Sequence, residues 1–408
     1  MPEVVVMVTT SYPRFPGDSV GTFMEPIARG VAARGHEVHV VAPWHPLVTR
    51  RPLEEGVHFH FYKYAPVRAL NVFGYAAAMN DDVSLRAAAF LAAPLALAAG
   101  WRAARSIARR HRATMMHGHW VIPGGVTASA AAPHLPLVIS LHGSDVYVAE
   151  RLGPARIAAR AAFGRAGFVT ACSADLATRA ILMGADPSRI AVVPYGVDTV
   201  RFRPDQASGA LRGQLGIPRD VPLVAAAGRL VRKKGFEYLI DAIANVPGAV
   251  LALAGDGTLA GELRSRADSA GITDRVRFLG NRSQDDVAAL FAAADLVVAP
   301  SVRDDAGNVD GLPNVVMESL ASGTALITTS AGGIGAVVEH ERTALVVAQR
   351  DPRALAAAIN RGLADEPLRR RLGSTARALA MTRFGWEQTA EQFESAYGHA
   401  LAFKSKPR

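Results

Sequence analysis

Two successive series of short apolar runs alternating with helical stretches constrain this chain more than any other feature. The first series runs through Val4–Thr9, Glu37–Ala42, His58–Tyr62, Thr114–His117, Leu137–Leu141, Val169–Ala171 and Ile190–Val193. A helix is predicted over Gly21–Arg34, closed by Gly35. The second series restarts at Leu223–Ala227 and continues through Val250–Ala254, Val276–Leu279, Leu296–Ala299, Ala325–Thr328 and Ala344–Val347. Helices are predicted there over Phe236–Ala244 and Leu259–Ala270. Apolar strands separated by helices pack as parallel sheets covered on both faces. The expected fold class is therefore α/β: two Rossmann-like, doubly wound domains over residues 1–193 and 206–383, facing a cleft. A turn-rich linker, 194–205, is expected between them. Trp386–Phe403 reads as a terminal helix with apolar Phe393, Tyr397 and Leu401, and residues 384–408 are expected to return to the first domain.

With 408 residues, half of them apolar and a fifth charged, the chain can build two ordinary cores. Its single cysteine, Cys172, excludes an internal disulfide or a cysteine-built metal site and is expected to be buried. The start, Met1-Pro-Glu-Val-Val-Val-Met-Val, reads as a first strand rather than a signal peptide. Net charge is +9, and residues 1–198 hold 19 Lys and Arg against 13 Asp and Glu. That bias suits an anionic partner, but no arginine-rich tail, zinc knuckle or stacking motif points to nucleic acid. The apolar stretch Ala87–Gly100, interrupted by Pro94, is shorter than the roughly 20 residues a membrane span requires. Arg102, Arg105, Arg109 and Arg112 follow it at helical spacing. Two readings stand: a helix covering a sheet with its arginines in water, or a basic amphipathic helix on an anionic membrane.

Ligands of such folds bind at the carboxyl ends of the strands, so the residues there carry the chemistry. The loop Thr9–Thr22 ends in Gly21, whose small size lets backbone approach a diphosphate. His142 follows a strand within His142-Gly-Ser-Asp145, so its ring is expected to enter the cleft. Asp145 is either the N-cap of the next helix or a cleft residue. In Gly228-Arg229…Lys234-Gly235, Arg229 and Lys234 flank a loop and suit a diphosphate, whereas Arg232 and Lys233 are expected to face solvent. Ala254-Gly-Asp-Gly257 is a tight turn after a strand. Asp310-Gly-Leu-Pro-Asn-Val-Val-Met-Glu318 puts one carboxylate in a loop and another about two turns into a helix whose N-terminus suits phosphate. Neither the Gly-x4-Gly-Lys-Ser/Thr phosphate loop nor Gly-x-Gly-x-x-Gly after the first strand occurs, which excludes those two modes of nucleotide binding.

In that order, with Val193-Pro-Tyr-Gly-Val-Asp198 between the halves, these pieces resemble a family 4 glycosyltransferase of the GT-B fold along nearly the whole chain. The resemblance implies a retaining hexosyl transfer from a nucleotide-diphosphate sugar to a hydroxyl of a glycan or lipid-linked acceptor. His142, Arg229, Lys234 and Asp310 would be the catalytic set. Arg229 and Lys234 would hold the diphosphate and stabilise the leaving nucleotide, with Gly21 near it. Glu318 would accept from the ribose hydroxyls and Asp310 from those of the transferred sugar. Amides around Leu312, Pro313 and Asn314 would complete the cradle, and Arg282 would lie by the donor base without specifying it. The family usually carries Glu where this chain has Asp310, which is shorter by about 1.5 Å. No Asp-x-Asp motif appears, and calcium-loop spacing is missing around Asp304, Asp305 and Asp310. Metal-independent chemistry without a cofactor is therefore expected.

A nucleotide-sugar 2-epimerase and a non-catalytic binding relative are the alternatives. The basic, apolar segment Ala87–Arg112 suggests a cytoplasmic enzyme of polysaccharide or glycolipid assembly, peripheral on the inner face of the membrane. Loops Pro43–Glu55 and Pro66–Arg86 are expected to be irregular and do not name the acceptor.

Overall fold

In a computed structural model, residues 2–18, 20–65, 71, 74–75, 87–206 and 209–405 are described. The expected irregular loop Pro66–Arg86 lies outside them except for Asn71, Gly74 and Tyr75. The chain divides into two compact units, Met1–Pro194 with Trp386–Arg408, and Tyr195–Gly385.

The first unit opens with β1 (Val4–Val8), α1 (Met24–Ala33), β2 (Glu37–Pro43), β3 (Leu53–Glu54) and β4 (Val57–Tyr62). Next come α2 (Ala87–Arg110), β5 (Met115–His119), α3 (Val126–Ala131), β6 (Leu137–Leu141), α4 (Ser144–Arg151) and α5 (Gly153–Arg165). It closes its sheet with β7 (Phe168–Ala171), α6 (Ala174–Leu182) and β8 (Ile190–Val192). The order is β3-β4-β2-β1-β5-β6-β7-β8, and all pairs are parallel except β3 with β4. The second unit contains α7 (Gly209–Gln214), β9 (Leu223–Ala227), α8 (Phe236–Ala244), β10 (Val250–Ala254), α9 (Ala260–Ser269) and β11 (Val276–Gly280). It continues with α10 (Gln284–Ala293), β12 (Leu296–Ala299), α11 (Asn314–Ser322), β13 (Leu326–Thr329), β14 (Leu345–Val347), α12 (Pro352–Ala364) and α13 (Glu366–Arg383). Its parallel sheet runs β11-β10-β9-β12-β13-β14. The last helix, α14 (Trp386–Ser405), packs on α1 in the first unit, where Phe393, Tyr397 and Ala400 join its core.

Every residue of β6, β9 and β10 is buried, as sheets covered on both faces require. The strand order reverses between β1 and β5 in the first sheet and between β9 and β12 in the second. At such a point two neighbouring loops diverge and leave a crevice at the strands' carboxyl ends.

The turn-rich segment 194–205 follows the first unit, which ends at Pro194: Tyr195, Val197 and Phe202 are buried, and Val197 N donates to Phe384 O at 2.7 Å within the second unit. The segment around Pro94 is one 24-residue helix, with proline inside it. That helix buries Ala92, Ala96, Ala104, Ile107 and Ala108 and packs against β2 and α3, which is the sheet-covering reading. Within Pro43–Glu55, Leu53–Glu54 forms a short antiparallel edge strand with β4. Among the described residues, no helix is long and apolar enough to cross a membrane. Cys172 is buried.

Candidate active site

At the second unit's switch point, the loop after β9 tightens into a 3-10 turn, Arg232–Lys234, ending at Gly235. Gly235 has φ 66°, and a Cβ there would lie 2.1 Å from Pro300 O, so only glycine lets this loop close on the one after β12. The turn aims two lysines at one carboxylate: Lys233 Nζ lies 3.1 Å and Lys234 Nζ 2.7 Å from the Asp310 oxygens. Burial pushes the Asp310 carboxyl up, but the two ammonium groups outweigh it and hold it well below the usual carboxylate range. Lys233, expected in solvent, is only 9% exposed, because the turn folds it under the loop, where its carbonyl also accepts from Val302 N at 2.8 Å. Arg232 does reach outward, in a two-bond pair with Glu262 at 2.7 and 2.6 Å. Arg229 is exposed at the loop's start. The Gly-Asp-Gly turn after β10 backs that loop: Leu230 N donates to Asp256 O at 2.9 Å, and Leu259 N to Leu230 O at 3.0 Å.

Asp310 ends the loop after β12, and Gly332 (φ 59°) passes so close that a Cβ would stand 1.9 Å from Asp310 O. The acidic residues upstream bind their own loop: Asp304 accepts from Asn308 N at 2.8 Å, and Asp305 pairs with Arg350 at 2.7 Å. Leu312 and Pro313 are buried, and α11 begins at Asn314. Its N-cap, Pro313, offers no side-chain acceptor to the first-turn amides. Glu318 is the fifth helical residue, so it lies one turn in rather than two. Burial pushes its carboxyl up to about 7, against the opposing pull of Lys234, Arg201 and a hydrogen bond from Gln284. Gln284 Oε1 in turn accepts from Arg201 at 2.8 Å, and Asp198 holds the Arg201 amide at 2.9 Å. Arg282 is exposed and donates to Leu279 O at 3.1 Å.

The first unit presents different groups at its own switch point. Gly21 (φ 66°) precedes α1 rather than lying within it, and its carbonyl accepts from Met24 N at 2.9 Å. The His142 ring lies 4.8 Å from that of Phe23 and 4.7 Å from that of Trp120. Its Nε2 sits 3.1 Å from Nδ1 of His119, the last residue of β5. Burial pushes both rings down, His119 to about 3, so both are neutral. Asp145 is the second residue of α4, whose N-cap is Gly143, which corrects the N-cap expectation. Its buried carboxylate accepts from Val121 N at 2.7 Å, Gly143 N at 2.9 Å and His142 N at 3.4 Å. One carboxylate thus ties the loop after β5 to the loop after β6.

The structure brings Lys234, Asp310 and Glu318 together in the second unit, and Gly21 with His142 through Phe23 in the first. Lys233, Gln284, Arg201 and His119 escaped the sequence reading. Arg201 and His119 had a visible signal in Gly196-Val-Asp-Thr-Val-Arg201 and in His117-Gly-His-Trp120; Gln284 had none.

Two parallel-sheet α/β units with loops of this kind define the GT-B class. HepE of Anabaena, solved with UDP, superposes with a TM-score of 0.76 over 97% of this chain and 99% of its own, at 22% identity. Sucrose-phosphate synthase from Thermosynechococcus elongatus gives 0.79 over 98% and 99%, at 21% identity. The model described as Glycosyltransferase Family 4 matches residues 20–201, and that described as Glycosyl transferases group 1 matches residues 208–379. The chain belongs to family 4 of the glycosyltransferases. A D-inositol 3-phosphate glycosyltransferase of Corynebacterium glutamicum is 36% identical over 230 residues, 53% of each chain. Another, of Mycobacterium tuberculosis, is 36% identical over 227 residues, 54% of this chain and 46% of its own. The chain thus spans about half the length of the curated relatives it matches.

Proposed function

We propose that this protein transfers a hexosyl group from a nucleoside-diphosphate sugar, with uridine as the leading base, to a hydroxyl of a glycan or lipid-linked acceptor. The observation that carries the reading is the pair of lysines on Asp310 beside the N-terminus of α11, at the switch point of the second sheet. Fixed ammonium groups and helix amides suit a diphosphate and grow in value as the leaving group gains charge. Glu318 accepts from the ribose hydroxyls, Asp310 from the transferred sugar, and Arg229 and Lys234 hold the phosphates. His142, neutral in its apolar setting, is the catalytic candidate that the first unit offers. Transfer proceeds with retention: the acceptor oxygen bonds to the anomeric carbon as the carbon–phosphate-oxygen bond breaks on the same face, and the departing phosphate takes the acceptor's proton. The lysines and Arg229 supply the positive charge, so the step is metal-independent. A UDP complex and a UDP-glucose complex of HepE support the choice of base.

A membrane-linked acceptor is part of the same proposal, and the exposed residues of α2 support it. Helix α2 exposes Leu91, Leu95, Leu97 and Trp101, followed by Arg102, Arg109 and Arg110. Such a face binds anionic vesicles more tightly than neutral ones and releases them in salt; equal binding to both would sink this part of the reading.

Calorimetric titration with nucleoside diphosphates and their sugars, with and without EDTA, tests the donor assignment. Saturable UDP binding, unchanged by EDTA and lost in Arg229→Ala, is expected. Absence of binding across the whole panel would overturn it.

A further inference from the structure

At the far edge of the first sheet, four histidines and a glutamate converge on one spot. Glu37 and His39 are the first and third residues of β2, and His58 and His60 the second and fourth of β4. Successive side chains of a strand alternate faces, so each pair shares a side. The parallel register sets His39 beside His58 and Val41 beside His60, which puts both pairs on the same side. Helix α2 packs against this sheet, and His111 follows its last residue. The His39 and His111 rings lie 4.0 Å apart. Glu37, His39 and His58 lie toward the strands' amino ends, and His60 sits near the middle of β4. The loops carrying Gly21 and His142 lie at the opposite end, so the cluster is no part of the site already described.

The hydrogen bonds fix which atoms are offered. His39 Nε2 lies 2.8 Å from a Glu37 carboxylate oxygen and donates its proton there. That leaves Nδ1 as a lone pair, 3.0 Å from His60 Nε2. A carboxylate behind a histidine, fixing its tautomer and orientation, is the usual support of a metal-ligating imidazole. One ring nitrogen each from His39, His60 and His111 lies within 4.8 Å of the other two. Small ring rotations bring three such atoms to a common centre about 2.0–2.1 Å away. Arg110 acts on His60 against a cation, whereas the Glu37 carboxylate stands 2.8 Å from His39.

We propose that His39, His60 and His111, backed by Glu37, bind a divalent zinc ion in the first unit. Three imidazoles with a fourth position for water match zinc and exclude magnesium, which takes oxygen ligands in an octahedron. The ion ties the end of α2 to β2 and β4 and takes no part in sugar transfer. His58, stacked 4.7 Å from His39, walls the site.

The test uses the full chain without a histidine tag, stripped with EDTA and exchanged into chelator-free buffer. It is loaded with zinc chloride or magnesium chloride, desalted, and its metal counted by mass spectrometry. About one zinc per chain, no retained magnesium and a higher melting midpoint with zinc are expected. His60→Gln with His111→Gln should weaken zinc retention at least about tenfold, as expected when ligands are removed. These part-exposed positions are chosen because His39 is fully buried; matching melts of the metal-free double variant and metal-free wild type would certify its fold. Wild-type protein that retains no zinc, or a folded double variant that retains as much as wild type, would overturn the proposal.

Discussion

The two switch points share one backbone plan and hold opposite chemistries. In the second unit, a carboxylate sits between two ammonium groups, with a second carboxyl one turn into the helix that follows. In the first, two neutral imidazoles lie among aromatic rings, and the buried carboxylate is spent on backbone amides. Asp310, partly buried, and Asp145, buried, both follow strands, yet their surroundings drive their carboxyl groups in opposite directions. Ammonium partners outweigh burial at Asp310, whereas burial outweighs the amide bonds at Asp145 and pushes it up to about 6. Position after a strand therefore fixes where a residue points but not what it does. The second unit is built to meet an anion, and the first to offer shape and neutral hydrogen bonds.

The sharpest way to break this contrast is Lys234→Ala. Release of nucleotide from the donor should fall about 10²–10³-fold, the usual cost of removing one group aimed at developing negative charge. Donor affinity should change far less. An equal loss in both would make Lys234 a ground-state anchor only.

Asp145→Ala tests the other side. Removing the acceptor leaves the Val121 and Gly143 amides unsatisfied, and each such buried group costs about 1–3 kcal/mol. A lower unfolding midpoint is expected, with nucleoside diphosphate affinity unchanged. Loss of nucleotide binding at unaltered stability would contradict the division of labour.

The smallest effect concerns Glu318. Its carboxyl is raised to about 7, so it is neutral below that pH and a carboxylate above it. A carboxylate accepts more strongly from hydroxyls, so affinity for a nucleotide sugar should rise several-fold between about pH 6 and 8. A nucleotide sugar is the right probe because its diphosphate does not titrate there. Glu318→Gln should flatten the curve; identical profiles would remove Glu318 from the ribose.

The elements that the sequence announced are those whose signal is local. Leu137–Leu141, Leu223–Ala227, Phe236–Ala244, Val250–Ala254 and Leu296–Ala299 appear with the bounds read from apolar runs and flanking turn formers. Where long-range packing decides, the reading failed. A three-residue turn has no periodicity, so nothing foretold that Lys233 would fold inward beside Lys234. Asp145 was legible as polar and near a helix start, but one of its partners, Val121, is 24 residues away. Arg229, Lys234, Asp310 and Glu318 could be singled out because they recur at fixed offsets around glycines; His119 and Gln284 act only through neighbours brought in by the fold.

The crossing back at Trp386 bears on how the chain is made. The Tyr397 hydroxyl, on α14, lies 2.8 Å from His117 Nδ1, and His117 lies ring against ring with His119, the partner of His142. Gly167 leaves no room for a Cβ because Ala400 packs directly on it. During synthesis, residues 195–385 leave the ribosome before the helix that completes the first unit. The second-made domain is thus the first that can finish, and the histidine pair waits for α14.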